Sequence, residues 1–197
     1  MLSQSPPKNN PFDSGAAQRA VVDYLSRGWR LIPLGANRTP LVRWTDFTCG
    51  EQTFTQVWTA LGDPRCAGVA VALGQSGLIC RDYDTLEGYA EFQARHPVEA
   101  TMLPTARTAR GFHVYARSTA PARTVNMGDG EFRAGNAYTV LPPSRHESGH
   151  TYQWVVPLPE GELPTVGGRL SHGAADRLGC GAWAGCIRHT HAHYTSH

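Results

Sequence analysis

GLICRDYD, residues 77–84, joins an apolar run to two carboxylates and predicts both a strand and a candidate site. An apolar run bounded by a glycine turn is typical of a buried β-strand. Asp82 and Asp84 are two positions apart, which places both side chains on one strand face with Cα atoms roughly 6.5 to 7 Å apart. Two carboxylates this close repel each other unless a cation compensates them, and Mg²⁺ or Mn²⁺ is the usual partner. The alternative is that both residues cap the helix predicted from Leu86.

The segments before this stretch predict helices and strands in irregular order. Asp13 or Ser14 can cap a first helix, and Gly28 suits its C-terminal end. A strand is expected over residues 29–34 and adjoining strands over residues 68–73 and 77–80, joined by a tight turn at 74–76. A short helix is expected over residues 54–61, with four side chains facing inward: Phe54, Val57, Trp58 and Leu61.

The segments after it continue the mixture. A helix from Leu86 is expected to stop at Pro97. Strands are expected over residues 106–108, 112–117, 131–133, 137–141 and 151–156. Because helices and strands do not alternate regularly, the sequence predicts an α+β fold rather than a doubly wound sheet.

Composition excludes several classes of protein. The chain has 197 residues, 41% hydrophobic and 17% charged, which predicts a folded domain with tails rather than a disordered chain. It has no apolar stretch of about 18 residues and no signal-like N-terminus, so we expect no membrane association and a cytoplasmic location. Five cysteines without a CxxC pair argue against a disulfide framework.

Positive charge is concentrated in one segment. The net charge of +2 does not by itself indicate a nucleic-acid-binding protein. Between Thr101 and Met127, however, the chain carries arginines and no acidic residue. Such a segment suits phosphates, and a solvated basic face is the alternative. The arginines are Arg107, Arg110, Arg117 and Arg123.

Residues 108–115, TARGFHVY, predict a glycine turn followed by a strand. His113 and Tyr115 share one face of this strand, which is either exposed to solvent or forms the floor of a cleft. Gly111 would allow a ligand phosphate to approach the backbone, and His113 can hold a phosphate oxygen. An ordinary surface or core histidine is the alternative.

Residues 130–136, GEFRAGN, place an acid and a base two positions apart on a third strand. Glu131 could add a third carboxylate to the acid pair. Arg133 could bind a triphosphate in bidentate fashion. The alternative for these two residues is a cross-strand surface ion pair.

The order of these motifs resembles the bifunctional primase/polymerase (prim-pol) domain of the archaeo-eukaryotic primase superfamily, found in plasmid and phage replication proteins. The resemblance covers about residues 14 to 156. Its matching residues are Tyr24, Gly28, Trp29, Pro33, Leu34, Arg38, Thr39, Pro40, Trp44, Gly74, Ser76, Gly77, Leu78, Asp82, Tyr83, Asp84, Thr105, Thr108, Gly111, Phe112, His113, Glu131, Phe132, Arg133, Ala134, Gly135, Pro142, Pro143, Ser144, Tyr152, Gln153 and Trp154. The chain departs from the family at Arg110, where a glycine is usual, and at Arg38, where a lysine is common.

The resemblance implies an archaeo-eukaryotic primase-like catalytic core, with an RRM-like unit and mixed sheets flanked by helices. It implies that Asp82, Asp84 and Glu131 are catalytic and bind Mg²⁺ or Mn²⁺. The expected nucleotide-binding residues are Arg110, Gly111, His113, Arg133 and Ser144. The expected nucleic-acid-binding residues are Arg38, Arg107, Arg117 and Arg123.

The expected function is that of a DNA-templated primase/polymerase in plasmid or phage replication, using two-metal phosphoryl transfer. Its expected partners are a single-stranded DNA template, dNTPs or rNTPs, and a separate helicase or replication initiator. Two alternatives remain: a non-catalytic nucleotide- or single-strand-binding module, and a metal-dependent nuclease or non-templated nucleotidyltransferase.

Three segments are expected along the chain. Residues 1–13 are predicted to be a flexible lead, residues 14–164 the catalytic domain, and residues 165–197 a flexible tail rich in Gly, Ala and His. The tail carries candidate zinc ligands, but their spacing matches no common structural zinc site. These are Cys180, Cys186, His189, His191 and His193.

Overall fold

The computed structural model describes residue 12 and residues 14–118 and 122–166 of the chain. The α-helices of this part are α1 (Gly15–Ser26), α2 (Trp44–Phe47), α3 (Phe54–Leu61), α4 (Leu86–Arg95) and α5 (Pro97–Met102). Its strands are β1 (Leu31–Gly35), β2 (Cys66–Ala72), β3 (Leu78–Tyr83), β4 (Thr105–Arg107), β5 (Phe112–Ser118), β6 (Val125–Asn126), β7 (Gly130–Arg133), β8 (Tyr138–Leu141), β9 (Gln153–Val156) and β10 (Thr165–Val166). None of the helices described has the length and apolar composition needed to cross a membrane.

Helix α1 forms where its capping residues predict it. Ser14 Oγ accepts a hydrogen bond from the Ala17 backbone N–H at 3.2 Å, which satisfies one donor of the first turn. Ala17, Val21 and Tyr24 form its buried stripe. Gly28, just beyond the helix, has a φ of +74°, a conformation that glycine adopts without strain.

The strands form two sheets. The smaller sheet has the order β1-β2-β8, and all its pairs are antiparallel. The larger sheet has the order β6-β7-β3-β5-β4-β9, with β10 pairing in parallel with β5. The predicted α+β class is therefore confirmed.

Strand β3 lies inside the larger sheet, and its side chains alternate between two apolar layers. Leu78 and Cys80 belong to the central core, which also contains β1, β2, β8, α1 and α3 residues and so joins the two sheets. Ile79 and Tyr83 belong to a second core on the opposite face, beneath α4 and α5. This alternation determines which neighbours of Asp82 lie on its own side of the sheet.

Two expectations about packing are wrong. Residues 68–73 and 77–80 do form strands, but β2 and β3 do not pair, because the turn at Gly74–Ser76 carries the chain from one sheet to the other. In α3, Val57 and Leu61 are buried as expected, whereas Phe54 is 41% exposed and stacks on Trp58.

Candidate active site

Three residues singled out by the sequence lie side by side across three neighbouring strands. Asp82 on β3 pairs with His113 on β5 and with Glu131 on β7. Directly opposite residues of antiparallel strands share one face, with Cβ atoms about 4.5 to 5.5 Å apart. The sheet therefore brings together residues that are 31 and 49 positions apart in the sequence.

This row of residues lies on the face that looks towards the smaller sheet. Cys80 and Tyr115, two positions from Asp82 and His113 on their strands, are fully buried in the central core. Asp82 and His113 are themselves buried, whereas Glu131 is half-buried. The face of β5 that carries His113 and Tyr115 is thus buried against the smaller sheet and is not an exposed surface.

Basic side chains surround the Asp82 carboxylate. His113 Nε2 lies 3.4 Å from Asp82 Oδ1, and Arg133 Nη2 lies 2.9 Å from Asp82 Oδ2. Burial acts to raise the pKa of Asp82, but the hydrogen bond and charge of His113, with the charges of Arg133 and Arg81, outweigh it and leave the pKa lowered. Asp82 is therefore held as a carboxylate although it is buried.

Arg133 also joins Asp82 to Glu131. Its Nε lies 3.0 Å from Glu131 Oε2, while its Nη2 contacts Asp82. A single guanidinium therefore compensates two carboxylates. The pair of Arg133 and Glu131 is more than a surface ion pair of β7, because Arg133 also contacts the buried Asp82 on β3.

His113 is held from behind by the smaller sheet. Its Nδ1 lies 3.3 Å from the carbonyl oxygen of Val140 on β8, and the Tyr115 hydroxyl donates to the same oxygen at 2.7 Å. Neither Tyr115 nor the Val140 carbonyl was expected at the site. The alternation of His113 and Tyr115 on β5 could have indicated the tyrosine, but the contact with β8 depends on how the two sheets pack.

Asp84 lies just beyond β3 and has a different environment. Its carboxylate pairs with Arg110, Nη2 to Oδ1 at 3.1 Å, and both side chains are at least half exposed. Thr85, and neither aspartate, caps α4 by accepting from the Gly88 backbone N–H. The helix-capping alternative for Asp82 and Asp84 is therefore wrong.

The donor atoms suit a hard divalent cation, although the three acids are not grouped together. Asp82 and Glu131 offer carboxylate oxygens on one face, the ligand type that Mg²⁺ and Mn²⁺ prefer. Within the described ranges, no three His, Cys, Asp or Glu side chains are close enough together to hold a metal ion. The structure thus pairs two of the expected ligands around Arg133 and leaves Asp84 with Arg110. The candidate zinc ligands of the tail lie outside the described residues.

Gly111 is required by the fold itself. A Cβ atom at this position would lie 1.7 Å from the Tyr83 carbonyl oxygen. The glycine therefore allows the turn before β5 to pack on the end of β3, and the expected phosphate contact at Gly111 stays a prediction.

Ser144 has a structural role instead of the expected nucleotide contact. It is 1% exposed. Its hydroxyl accepts from the Val69 N–H at 2.8 Å and donates to the Leu141 carbonyl at 2.6 Å. With its hydrogen-bonding capacity used inside the protein, Ser144 is not available to a nucleotide.

The arginines of β4 and β5 do not form one surface. Arg107 donates to the Gly111 carbonyl at 2.8 Å and covers the Phe112 ring, close to the site. Arg117 pairs with Glu162 at 2.6 Å, four residues along β5 from His113. That separation is about 13 Å along a strand, so Arg117 lies away from the acids.

Arg38 and Arg123 lie in loops. Arg38 has a φ of +65°, a conformation that is uncommon for a residue other than glycine, and the Tyr138 hydroxyl donates to its carbonyl at 3.3 Å. Arg123 is exposed before β6.

Comparison with protein families identifies a match over most of the chain. The family model described as bifunctional DNA primase/polymerase, N-terminal, matches residues 21–166. The match includes every candidate catalytic, nucleotide-binding and nucleic-acid-binding residue described above. A search of curated proteins finds no match.

Proposed function

Because the chain belongs to the bifunctional DNA primase/polymerase family, we propose that it synthesises or extends primers on a DNA template from nucleoside triphosphates. Membership gives the chain a primase/polymerase-type function in replication, with DNA and nucleotides as substrates. The templated nucleotidyl transfer, the primer product and the plasmid or phage setting are our proposal.

The observation that carries the proposal is the row formed by Glu131, Asp82 and His113 on β7, β3 and β5. It places two carboxylates beside an imidazole, with Asp82 and His113 buried and Glu131 half-buried. Nucleotidyl transfer needs this combination, because the oxygen ligands of a cation must lie next to groups that hold the triphosphate.

Enzymes of this family are generally metal-dependent, and the acids of the row suit Mg²⁺ or Mn²⁺. We propose that Asp82 and Glu131 hold the cation, with Asp84 as a further ligand. When bound, such a cation neutralises charge on the triphosphate and favours ionisation of the attacking 3′-hydroxyl.

The basic side chains around the acids are proposed to bind the triphosphate. Arg133 and Arg110 each pair with a carboxylate, so their guanidinium groups already lie beside the proposed cation ligands. His113 is oriented by the Val140 carbonyl, which leaves Nε2 on the side of Asp82. Groups held in this way orient the phosphates for in-line attack.

We propose that the template contacts Arg38, Arg107 and Arg123. Arg107 lies next to Gly111, at the same end of the sheet as the acids. Phosphate contacts of this kind weaken as salt concentration rises.

A separate helicase or replication initiator is a further proposed partner, since priming requires exposed single strands. A cytoplasmic location stays a prediction.

The proposal is tested with labelled dNTPs and rNTPs in the presence of Mg²⁺ or Mn²⁺, with and without a single-stranded template. We expect template-dependent products from the wild-type chain. Asp82→Ala and Asp84→Ala should abolish incorporation while leaving the circular dichroism spectrum unchanged. Asp46→Ala is the matched control, because Asp46 is an exposed carboxylate whose ion pair with Arg43 is also exposed.

Other outcomes point to the alternative functions. Nucleotide binding without product indicates a binding module. Products that do not depend on template indicate a non-templated transferase, and loss of labelled DNA indicates a nuclease. Incorporation by Asp82→Ala at the wild-type rate overturns the proposed role of the acids.

A further inference from the structure

Arg81 is a charged residue buried within β3, directly before Asp82. Its side chain is only 2% exposed. Alternation along the strand places it on the opposite face of the sheet from Asp82, where its guanidinium covers the Tyr83 ring at 4.1 Å. A buried charge is costly unless partners compensate it, so the partners of Arg81 indicate what it holds.

Those partners include the backbone of both acids in the row. Arg81 Nη1 donates to the carbonyl oxygen of Asp82 and contacts that of Glu131 at 3.4 Å. Nη1 therefore bridges the two strands at the position where they carry the carboxylates. Since the side chains of Asp82 and Glu131 project from the other face, Arg81 contacts only the backbone of these residues.

Asp129 anchors the guanidinium. Its carboxylate pairs with Arg81 Nη2, and its backbone carbonyl accepts from the Asp84 N–H at 3.0 Å. Asp129 therefore links the turn before β7 to the end of β3 through both its side chain and its backbone. The third acid, Asp84, is tied to the same turn.

Gly130 leaves room for this arrangement. A Cβ atom at Gly130 would lie 2.1 Å from the Asp82 carbonyl oxygen and 3.1 Å from Arg81 Nη1. Its φ of +141° also disfavours other residues. The local sequence thus makes space for a guanidinium beneath the two acids.

We propose that Arg81 is a positioning residue that fixes the backbone of Asp82 and Glu131 and thereby the spacing of their carboxylates. This inference rests on the proposed function for the role of these carboxylates as cation ligands. Groups that orient metal ligands without touching the metal typically change affinity by about 10- to 100-fold when they are replaced.

The test compares Arg81→Met with Arg81→Lys, using Mn²⁺ alone as the probe. Mn²⁺ affinity is measured by electron paramagnetic resonance, with Asp82→Asn as the reference for a damaged site. Arg81→Met should weaken Mn²⁺ binding by about 10-fold or more, and Arg81→Lys, which keeps one donor for the carbonyls, should recover part of that loss. In parallel, amide hydrogen exchange should become faster in β3 and β7 in Arg81→Met.

Ile79→Ala is the matched control for loss of stability. Ile79 is buried on the same face of β3 as Arg81, but it pairs with Ala116 and lies outside the row of acids. We expect this variant to unfold more easily and yet to bind Mn²⁺ within about twofold of wild type, because a cavity in the core leaves the ligands in place. If Arg81→Met does not fold, Asp129→Asn tests the same link, because it removes the anchor and leaves Arg81 in place.

The outcomes separate the two proposals. Wild-type Mn²⁺ affinity in the folded Arg81→Met or Asp129→Asn variant overturns the positioning role, as does an equal loss of affinity in Ile79→Ala. If wild type and Asp82→Asn bind Mn²⁺ equally, the proposed function of the acids fails. In that case the amide hydrogen exchange of Arg81→Met decides the positioning role. Unchanged exchange in β3 and β7 would overturn it, and faster exchange there would support it.

Discussion

Asp82 carries a negative charge in a place where burial alone would disfavour it. Burial acts to raise the pKa of this acid, and the contacts with His113 and Arg133 reverse that effect. The free energy that favours its ionised form is therefore supplied by neighbouring side chains. That dependence makes the acid sensitive to pH and to the loss of either neighbour.

The pH dependence of stability should reveal this charge. An acid whose pKa is lower in the folded chain than its unfolded value of about 3.9 stabilises the fold above that value, and the stabilisation is lost as pH falls through the folded pKa. The difference in free energy of unfolding between wild type and Asp82→Asn should therefore shrink below about pH 4. Urea denaturation between about pH 3 and pH 7 measures it, with Asp46→Asn as an exposed control. A difference that does not change with pH contradicts the prediction.

His113→Ala should raise the nucleotide KM more than it weakens Mn²⁺ binding. A hydrogen bond to a charged group such as a phosphate contributes about 1.5 to 3 kcal/mol, so we expect a KM increase of about 10-fold or more. Steady-state incorporation at varied nucleotide concentration gives the KM, and electron paramagnetic resonance gives the Mn²⁺ affinity. Unchanged KM and kcat would remove His113 from the site.

At the scale of elements, the ends of β3 and β5 depend on one contact between backbones. Gly111 lies against the Tyr83 carbonyl, where any side chain would collide. The contact holds the turn before His113 against the strand that carries Asp82. A substitution there should act first on the fold and only through it on activity.

Gly111→Ala is therefore expected to lower the free energy of unfolding by more than about 3 kcal/mol. Gly161→Ala is the control, since a Cβ at Gly161 would meet nothing within 4 Å. It should change stability by less than about 0.5 kcal/mol. Urea denaturation compares the two variants. A fully stable Gly111→Ala with a raised nucleotide KM would instead support the expected phosphate contact.

The sequence predicts individual elements better than their partners. The bounds of α3 and the cap of α1 follow from local signals, and both are observed where expected. The wrong expectation for β2 and β3 has a physical cause, because strands that are apolar on both faces reveal their burial but not the neighbour they pair with. Strand β3 pairs with β5 and β7, which come much later in the chain.

In the candidate site, too, local signals identify individual residues but not their partners. The acids and His113 stand out as polar residues on apolar strands, which is a local signal. The contact of Arg133 with Asp82 depends on the register of β7 against β3, and Arg81 gives no local sign of its partner Asp129. Counter-charges are set by tertiary packing, so the sequence alone does not predict them.

For the molecule as a whole, the central core joins the two sheets. Leu31 and Leu141 of the smaller sheet pack in the same cluster as Leu78 and Tyr115 of the larger one. His113 depends on this packing, since its ring faces the Val140 carbonyl. The candidate site should therefore persist only while both sheets remain folded.

Leu141→Ala should destabilise both sheets together. Leu141 is fully buried, and such a truncation costs about 2 to 5 kcal/mol. We expect a single unfolding transition at lower urea concentration, with circular dichroism and tryptophan fluorescence coinciding. Val155→Ala, at a 51% exposed position of β9, is the control and should change little. Two separate transitions would show that the sheets unfold independently.

The alternation of Arg81 and Asp82 limits how the length of β3 can vary. Their side chains leave the strand on opposite faces, so a single residue inserted or deleted before them, with the pairing otherwise kept, would exchange their sides. The guanidinium would then lie beside His113 on the face towards the smaller sheet, and the carboxylate would lie against the aromatic rings beneath α4. One change in length would thus reverse the sign of charge on both sides of the sheet, which predicts that natural length variation in this family occurs in loops and not in β3.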